Sequence, residues 1–135
     1  MNLDIGAKKP IDGTQVFVVG RHLSLAEAPF VLLYDAHKRR RSKRNIQKVR
    51  PAEVVAALGA DAFMEIEYPQ WGTVWFRAAK VRGVRELRSD ELSTSAAQIG
   101  SLVLFDHDPE PEDEHAGFLL FGMQAKQVSQ LLKAS

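Results

Sequence analysis

Apolar residues in this chain recur in short blocks bounded by Gly or Pro, with strict alternation at 62–68 and helical spacing in three other segments. Residues 14–20 (Thr-Gln-Val-Phe-Val-Val-Gly) and 29–35 (Pro-Phe-Val-Leu-Leu-Tyr-Asp) are rich in β-branched and aromatic side chains and bounded by Gly or Pro, which predicts two strands. Between them Ser24 and Glu27 have capping-box spacing, but Pro29 leaves room for little more than one turn, so a connection is expected. Residues 62–68 set Met64, Ile66 and Tyr68 against Glu65 and Glu67, the period of a half-buried strand. Pro69-Gln70-Trp71-Gly72 then reads as a turn, and residues 73–81 as the returning strand of an antiparallel hairpin. Gly83 marks a bulge or a tight connection, and the apolar runs 102–105 and 118–121 predict buried strands.

Three segments follow helical rules. Pro51 suits a first helical position, Glu53 its first turn and Gly59 its end, with Val54, Val55 and Leu58 as the apolar side. Ser89 opens a second segment that carries Leu92, Ala96 and Ile99 on one face and stops at Gly100, although hydroxyls at 93–95 compete for its backbone. Residues 124–133 gather Ala125, Val128, Leu131 and Leu132 on one face. Strand pairs with interspersed helices lack the regular crossovers of a parallel sheet. The expected fold is α+β: a single globular domain over residues 1–135, with an antiparallel or mixed sheet of about five strands and two or three helices packed on one side. Phe17, Val19, Leu32, Ile66, Leu104, Leu120 and Leu131 are expected in its core.

Length and composition narrow the class. A chain of 135 residues can bury roughly two thirds of its unfolded surface in one domain. It has no cysteine, which excludes a disulfide framework and thiolate metal sites. No apolar run approaches the roughly 20 residues of a membrane-spanning helix, and the first ten residues lack the apolar stretch of a secretory signal. No membrane span and a cytoplasmic location are therefore expected.

Charge changes the picture most. Residues 37–50 hold eight Lys or Arg and no acid, in a chain whose formal net charge is only +1. As one helix, residues 38–44 would set six cations around the axis in mutual repulsion, so a connecting loop or a strand extension is expected. Such a segment attracts nucleic-acid phosphates, anionic lipid or an acidic protein surface, and the commonest alternative is a solvated loop with no partner. Nucleic acid is the leading expectation, with Lys38, Arg39, Arg40, Arg41, Lys43, Arg44, Lys48 and Arg50 as its contacts. Arg77, Lys80 and Arg82 in or after the hairpin extend the cationic set, and Trp71 beside them offers a ring on which a base can stack. Ordinary core packing is the more common fate of Tyr68, Trp71, Trp75 and Phe76. An adaptor that docks an acidic partner through the same cations is the alternative, and a small enzyme the third class.

Catalytic and metal chemistry find little support. There is no nucleophile elbow, P-loop or dinucleotide-binding glycine fingerprint, and no cofactor is expected. Asp35 and His37 form the best acid–base pair, since alternation at a strand end puts both on one face. The acidic loop 106–115 holds six carboxylates and two imidazoles, but it has neither calcium-loop spacing nor an HExxH pair, and Pro109 and Pro111 favour an extended connection. It also has the charge to screen the basic segment. Arg39-Arg40-Arg41-Ser42 has the form of a basic-directed kinase site, a short and common pattern.

Overall fold

The computed structural model describes residues 2–4, 10–21, 29–47, 49–68, 72–92, 99–106, 117–121 and 123–133. Two compact units divide the chain, Met1–Ala79 and Lys80–Ser135. The elements are α+β with antiparallel sheets throughout. Instead of the one sheet expected, there are sheets of five and three strands and a small two-stranded pair.

In the first unit, β1 (Asn2–Leu3) pairs with β2 (Ile11–Asp12). A 3-10 turn over Gly13–Gln15 leads into β3 (Val16–Arg21), followed by β4 (Pro29–Asp35) and β5 (Arg40–Asn45). Helix α1 (Pro51–Leu58) comes next, then β6 (Phe63–Tyr68) and β7 (Gly72–Arg77). The five-stranded sheet runs β5-β4-β3-β7-β6, so among the described residues β5 and β6 are its edges.

Helix α1 begins and ends where the local chemistry directs. Pro51 fills the first position, the Arg50 carbonyl accepts from the amides of Glu53 (3.0 Å) and Val54 (3.2 Å), and Gly59 closes the end at φ +105°. Its Val54 and Val55 pack with Val16, Val19, Val31, Leu33, Ile46 and Phe63, and Trp75 lies against the same cluster. Each buried aliphatic side chain contributes about 1.5–3 kcal/mol, so this cluster ties α1 and the sheet together. Alternation holds on β6 as well, where Met64 and Ile66 are buried and Glu65 and Glu67 exposed.

The expected strand 73–81 breaks. Residues Ala78–Lys80 form a 3-10 turn, and β8 (Val81–Glu86) continues into the second unit. Two alanines in succession lack the branched side chains that favour extended backbone, which fits a turn at this point. Register shifts between Val81 and Gly83, the irregularity expected at that glycine.

The second unit also holds α2 (Ser89–Leu92), β9 (Gly100–Phe105), β10 (Phe118–Phe121) and α3 (Ala125–Lys133). Its sheet runs β10-β9-β8, and all six residues of the central strand β9 are buried, which accounts for the apolar run 102–105. Gly100 opens β9; of the second expected helix, Ser89–Leu92 forms α2 and residues 93–98 lie outside the described residues. The Glu86 carboxylate accepts the Ala125 amide at 2.7 Å, capping the start of α3.

Most of the expected core is buried, including Phe17, Val19, Ile66, Leu104 and Leu120. Two positions are corrected. Leu131 is 42% exposed while Val128 of the same helix is fully buried, and on β4 Leu33 is buried where Leu32 is half-buried. Consecutive strand residues face opposite ways, so a run of two leucines cannot reveal which of them is inward. No helix among the described residues is long and apolar enough to cross a membrane.

Candidate nucleic-acid interface

The centre of the basic segment is not a loop. Arg40–Asn45 pairs along its whole length with β4, from Asp35 opposite Arg40 to Phe30 opposite Asn45. The connecting turn is shaped by Asp35, whose Oδ1 accepts the amides of His37 (2.9 Å) and Lys38 (3.2 Å). Arg39 closes it in the left-handed region at φ +50°. That role for Asp35 is structural. His37 stands exposed on the turn, and its amide donates to that carboxylate.

Strand pairing splits the cations between two faces. Arg40, Ser42 and Arg44 lie opposite Asp35, Leu33 and Val31 on one face, while Arg41 and Lys43 lie opposite Tyr34 and Leu32 on the other. On that second face the Arg41 guanidinium sits 5.1 Å from the Phe17 ring centre and the Lys43 ammonium 5.5 Å from that of Phe30, both within cation–π range.

On the first face the three β5 side chains border a groove of about 710 Å³. Its cations are Lys38, Arg40 and Arg44; its neutral polar groups are Gln15 and Ser42; its acids are Asp12 and Asp35. Pro10, Ile11 and Leu33 add apolar surface. Among the described residues neither Lys38 nor Arg40 is held by an ion pair. The Arg44 guanidinium donates to the carbonyl of Lys43 at 3.2 Å.

The wall formed by residues 10–16 is fixed by two devices. Asp12 Oδ1 accepts from the Thr14 hydroxyl (2.7 Å) and the Thr14 amide (3.0 Å), and these two bonds hold the Asp12 carboxyl below its ordinary pKa, the hydroxyl contributing more. Arg77 supplies the second device. Its Nε donates to the Val16 carbonyl at 2.6 Å and a terminal nitrogen to the Gly13 carbonyl at 3.0 Å, with the guanidinium carbon 4.7 Å from the Phe63 ring centre. Burial pushes the Arg77 pKa down, because a charge withdrawn from water is less favourable.

The proposed contact residues therefore occupy different settings. Lys38, Arg40 and Arg44 converge on the groove, and Arg39 is exposed on the turn beside it. Arg41 and Lys43 belong to the opposite face, and Arg50 is exposed at the start of α1. Arg77 is committed to backbone carbonyls. Lys80 and Arg82 are exposed in the second unit, and Lys48 and Trp71 lie outside the described residues. Trp75 is half-buried against the core of the first unit, in line with ordinary packing.

Ser42 and the wall residues Asp12 and Gln15 were not among the expected contacts. The signal for Ser42 was the two-residue period of Arg40, Ser42 and Arg44, which becomes informative once the segment is read as a strand. The acidic loop lies outside the described residues from 107 onward; among the described residues no three His, Asp or Glu converge as a metal site. Comparison of the chain with protein-family models, with curated proteins and with solved structures gives no match.

Proposed function

We propose that this chain is a small, cytoplasmic, non-enzymatic binding protein that holds nucleic acid mainly through phosphate contacts along β5. The observation that carries this reading is the convergence of Lys38, Arg40 and Arg44 on one groove, with Ser42 and Gln15 between and beside them as hydrogen-bond donors. The backbone of Arg40, Ser42 and Arg44 is already ordered by pairing with β4, and that of Lys38 by its amide's hydrogen bond to the Asp35 carboxylate, so the cations lose less freedom on binding than they would from a free loop. Each phosphate they neutralise releases condensed counterions, which gives sequence-independent affinity. Labelled oligonucleotides of unrelated sequence, titrated at about 50 mM salt and followed by fluorescence anisotropy, should bind with similar affinity. Failure of every nucleic acid to bind under those conditions overturns the reading.

The edge position of β5 supports a second reading, an adaptor for an acidic partner. The Ile46 amide donates to the Pro29 carbonyl at 2.7 Å, which sets the phase of the ladder. Antiparallel alternation then turns the backbone groups of Arg40, Ser42 and Arg44 toward β4, and those of Arg41, Lys43 and Asn45 outward. An extended acidic peptide can add to that edge by main-chain hydrogen bonds. A second copy of β5 would instead set cation against cation. Binding of an acidic peptide that survives excess competitor nucleic acid would favour this reading over the first.

A further inference from the structure

We propose that the groove bordered by Arg40, Ser42 and Arg44 is a site for single-stranded nucleic acid, selective against duplex, an inference that rests on the phosphate-binding reading above. Residues two apart on a strand are separated by roughly 6.6 Å, so Arg40, Ser42 and Arg44 present donors at regular steps over about 13 Å. That repeat is comparable to the separation of successive phosphates along one extended strand. Ser42 and the two arginines lie on the same face, and all three border the groove.

The groove, about 710 Å³, is of the order that takes a small organic ligand or a short run of unpaired nucleotides. The lining separates one strand from two. Pro10, exposed at the rim, gives the groove apolar surface beside the donors, above the buried Ile11 and Leu33. A sugar or an unstacked base can cover that surface when the strand is single, whereas in a duplex the bases are stacked and paired inside. Asp12 and Asp35 border the same groove, each with one oxygen committed to its own turn. They oppose indiscriminate accumulation of phosphate and restrict the phosphates to the β5 side.

The two faces of β5 provide the control. Arg41 and Lys43 carry the same charge as Arg40 and Arg44 but face away from the groove, over Phe17 and Phe30. A diffuse electrostatic interaction would weight the two pairs alike; a groove-bound strand would not.

The test titrates a labelled single-stranded oligonucleotide and its duplex against the wild-type chain, Arg40→Ala/Arg44→Ala, and Arg41→Ala/Lys43→Ala, with thermal melting of each protein measured in parallel. The expected result is single-strand affinity at least tenfold above duplex affinity. Arg40→Ala/Arg44→Ala should lower single-strand affinity at least tenfold with little change in melting, and Arg41→Ala/Lys43→Ala should lower it severalfold less. Ser42→Ala, which removes only a hydroxyl, should weaken the single strand and leave the duplex unchanged. Equal affinity for both forms, or equal loss from the two double variants, overturns the groove assignment while leaving phosphate-directed binding intact. No binding of either form removes the underlying reading and this inference with it. If Arg41→Ala/Lys43→Ala lowers the melting temperature, Arg41→Gln/Lys43→Gln, which removes both cations and keeps most of both aliphatic stems, takes its place.

Discussion

Replacing Arg77 with Met should damage the fold of the first unit more than it damages any direct contact with a ligand. The substitution keeps an aliphatic stem and removes the guanidinium. Two charge-assisted hydrogen bonds disappear, to the carbonyls of Val16 (2.6 Å) and Gly13 (3.0 Å), and such bonds contribute about 1.5–3 kcal/mol each. The contact with Phe63, 4.7 Å from guanidinium carbon to ring centre, adds about 0.5–2 kcal/mol. Part of this total is offset because Met has no charge to desolvate, whereas burial of the guanidinium both costs hydration and lowers the Arg77 pKa. A net loss of about 2–4 kcal/mol follows. Both tryptophans, Trp71 and Trp75, belong to the first unit, so urea unfolding followed by their fluorescence reports on it directly. With a urea slope of about 2 kcal/mol per M, the midpoint should fall by about 1–2 M. Arg77→Lys should recover only part of the loss, since an ammonium cannot reproduce the forked geometry that reaches two carbonyls. A midpoint unchanged in Arg77→Met, combined with abolished nucleic-acid binding, would refute the structural role and return Arg77 to the contact set.

Three other substitutions probe separate parts of the account. The Asp12 carboxyl titrates below its ordinary value because it accepts from Thr14, so its bonds stabilise the folded state above the unfolded pKa of about 3.9 and are lost as pH falls through the folded pKa. Asp12→Asn should therefore be less stable than wild type at neutral pH, and the gap should close below about pH 4; a gap constant to about pH 2 argues against the linkage. Ser101 is fully buried and its hydroxyl has no hydrogen-bond partner among the described residues, so Ser101→Ala should be neutral or raise stability by up to about 1 kcal/mol, whereas a loss above about 1 kcal/mol would reveal a partner. At Gly117, with φ +77°, an added Cβ would lie 2.6 Å from the Val103 carbonyl oxygen, while at Gly59 it would meet nothing within 4 Å. In thermal melts Gly117→Ala should cost clearly more than Gly59→Ala, and equal costs would contradict the close approach at Gly117.

Much of the fold could be read from local pattern because several elements carry their own boundary chemistry. Pro51 and Gly59 bracket α1, Pro29 opens β4, and alternating Glu65 and Glu67 mark a half-buried strand. The hairpin of β6 and β7 was legible, but pairing between elements distant along the chain was not. Nothing local in residues 73–81 shows that β7 belongs to one sheet and β8 to another, since the choice lies in more distant partners, β3 for the first and β9 for the second. The basic segment shows the same limit. Its charge was visible, and strand extension was one of its two expected states, but only pairing with β4 determines that Arg40 and Arg44 share a face from which Arg41 and Lys43 are excluded. Arg77 looked like one more surface cation because its partners, Gly13 and Val16, lie more than sixty residues away.

The central claim is that Arg40 and Arg44, together with Lys38, neutralise phosphates in the groove. Its most direct measurement is the slope of log affinity against log salt for a single-stranded oligonucleotide, compared between wild type and Lys38→Ala/Arg40→Ala/Arg44→Ala. Each lost phosphate contact should flatten the slope by about 0.7, so the triple variant should lose about 2 from the wild-type value. An identical slope in both proteins would place the phosphates elsewhere and contradict the account.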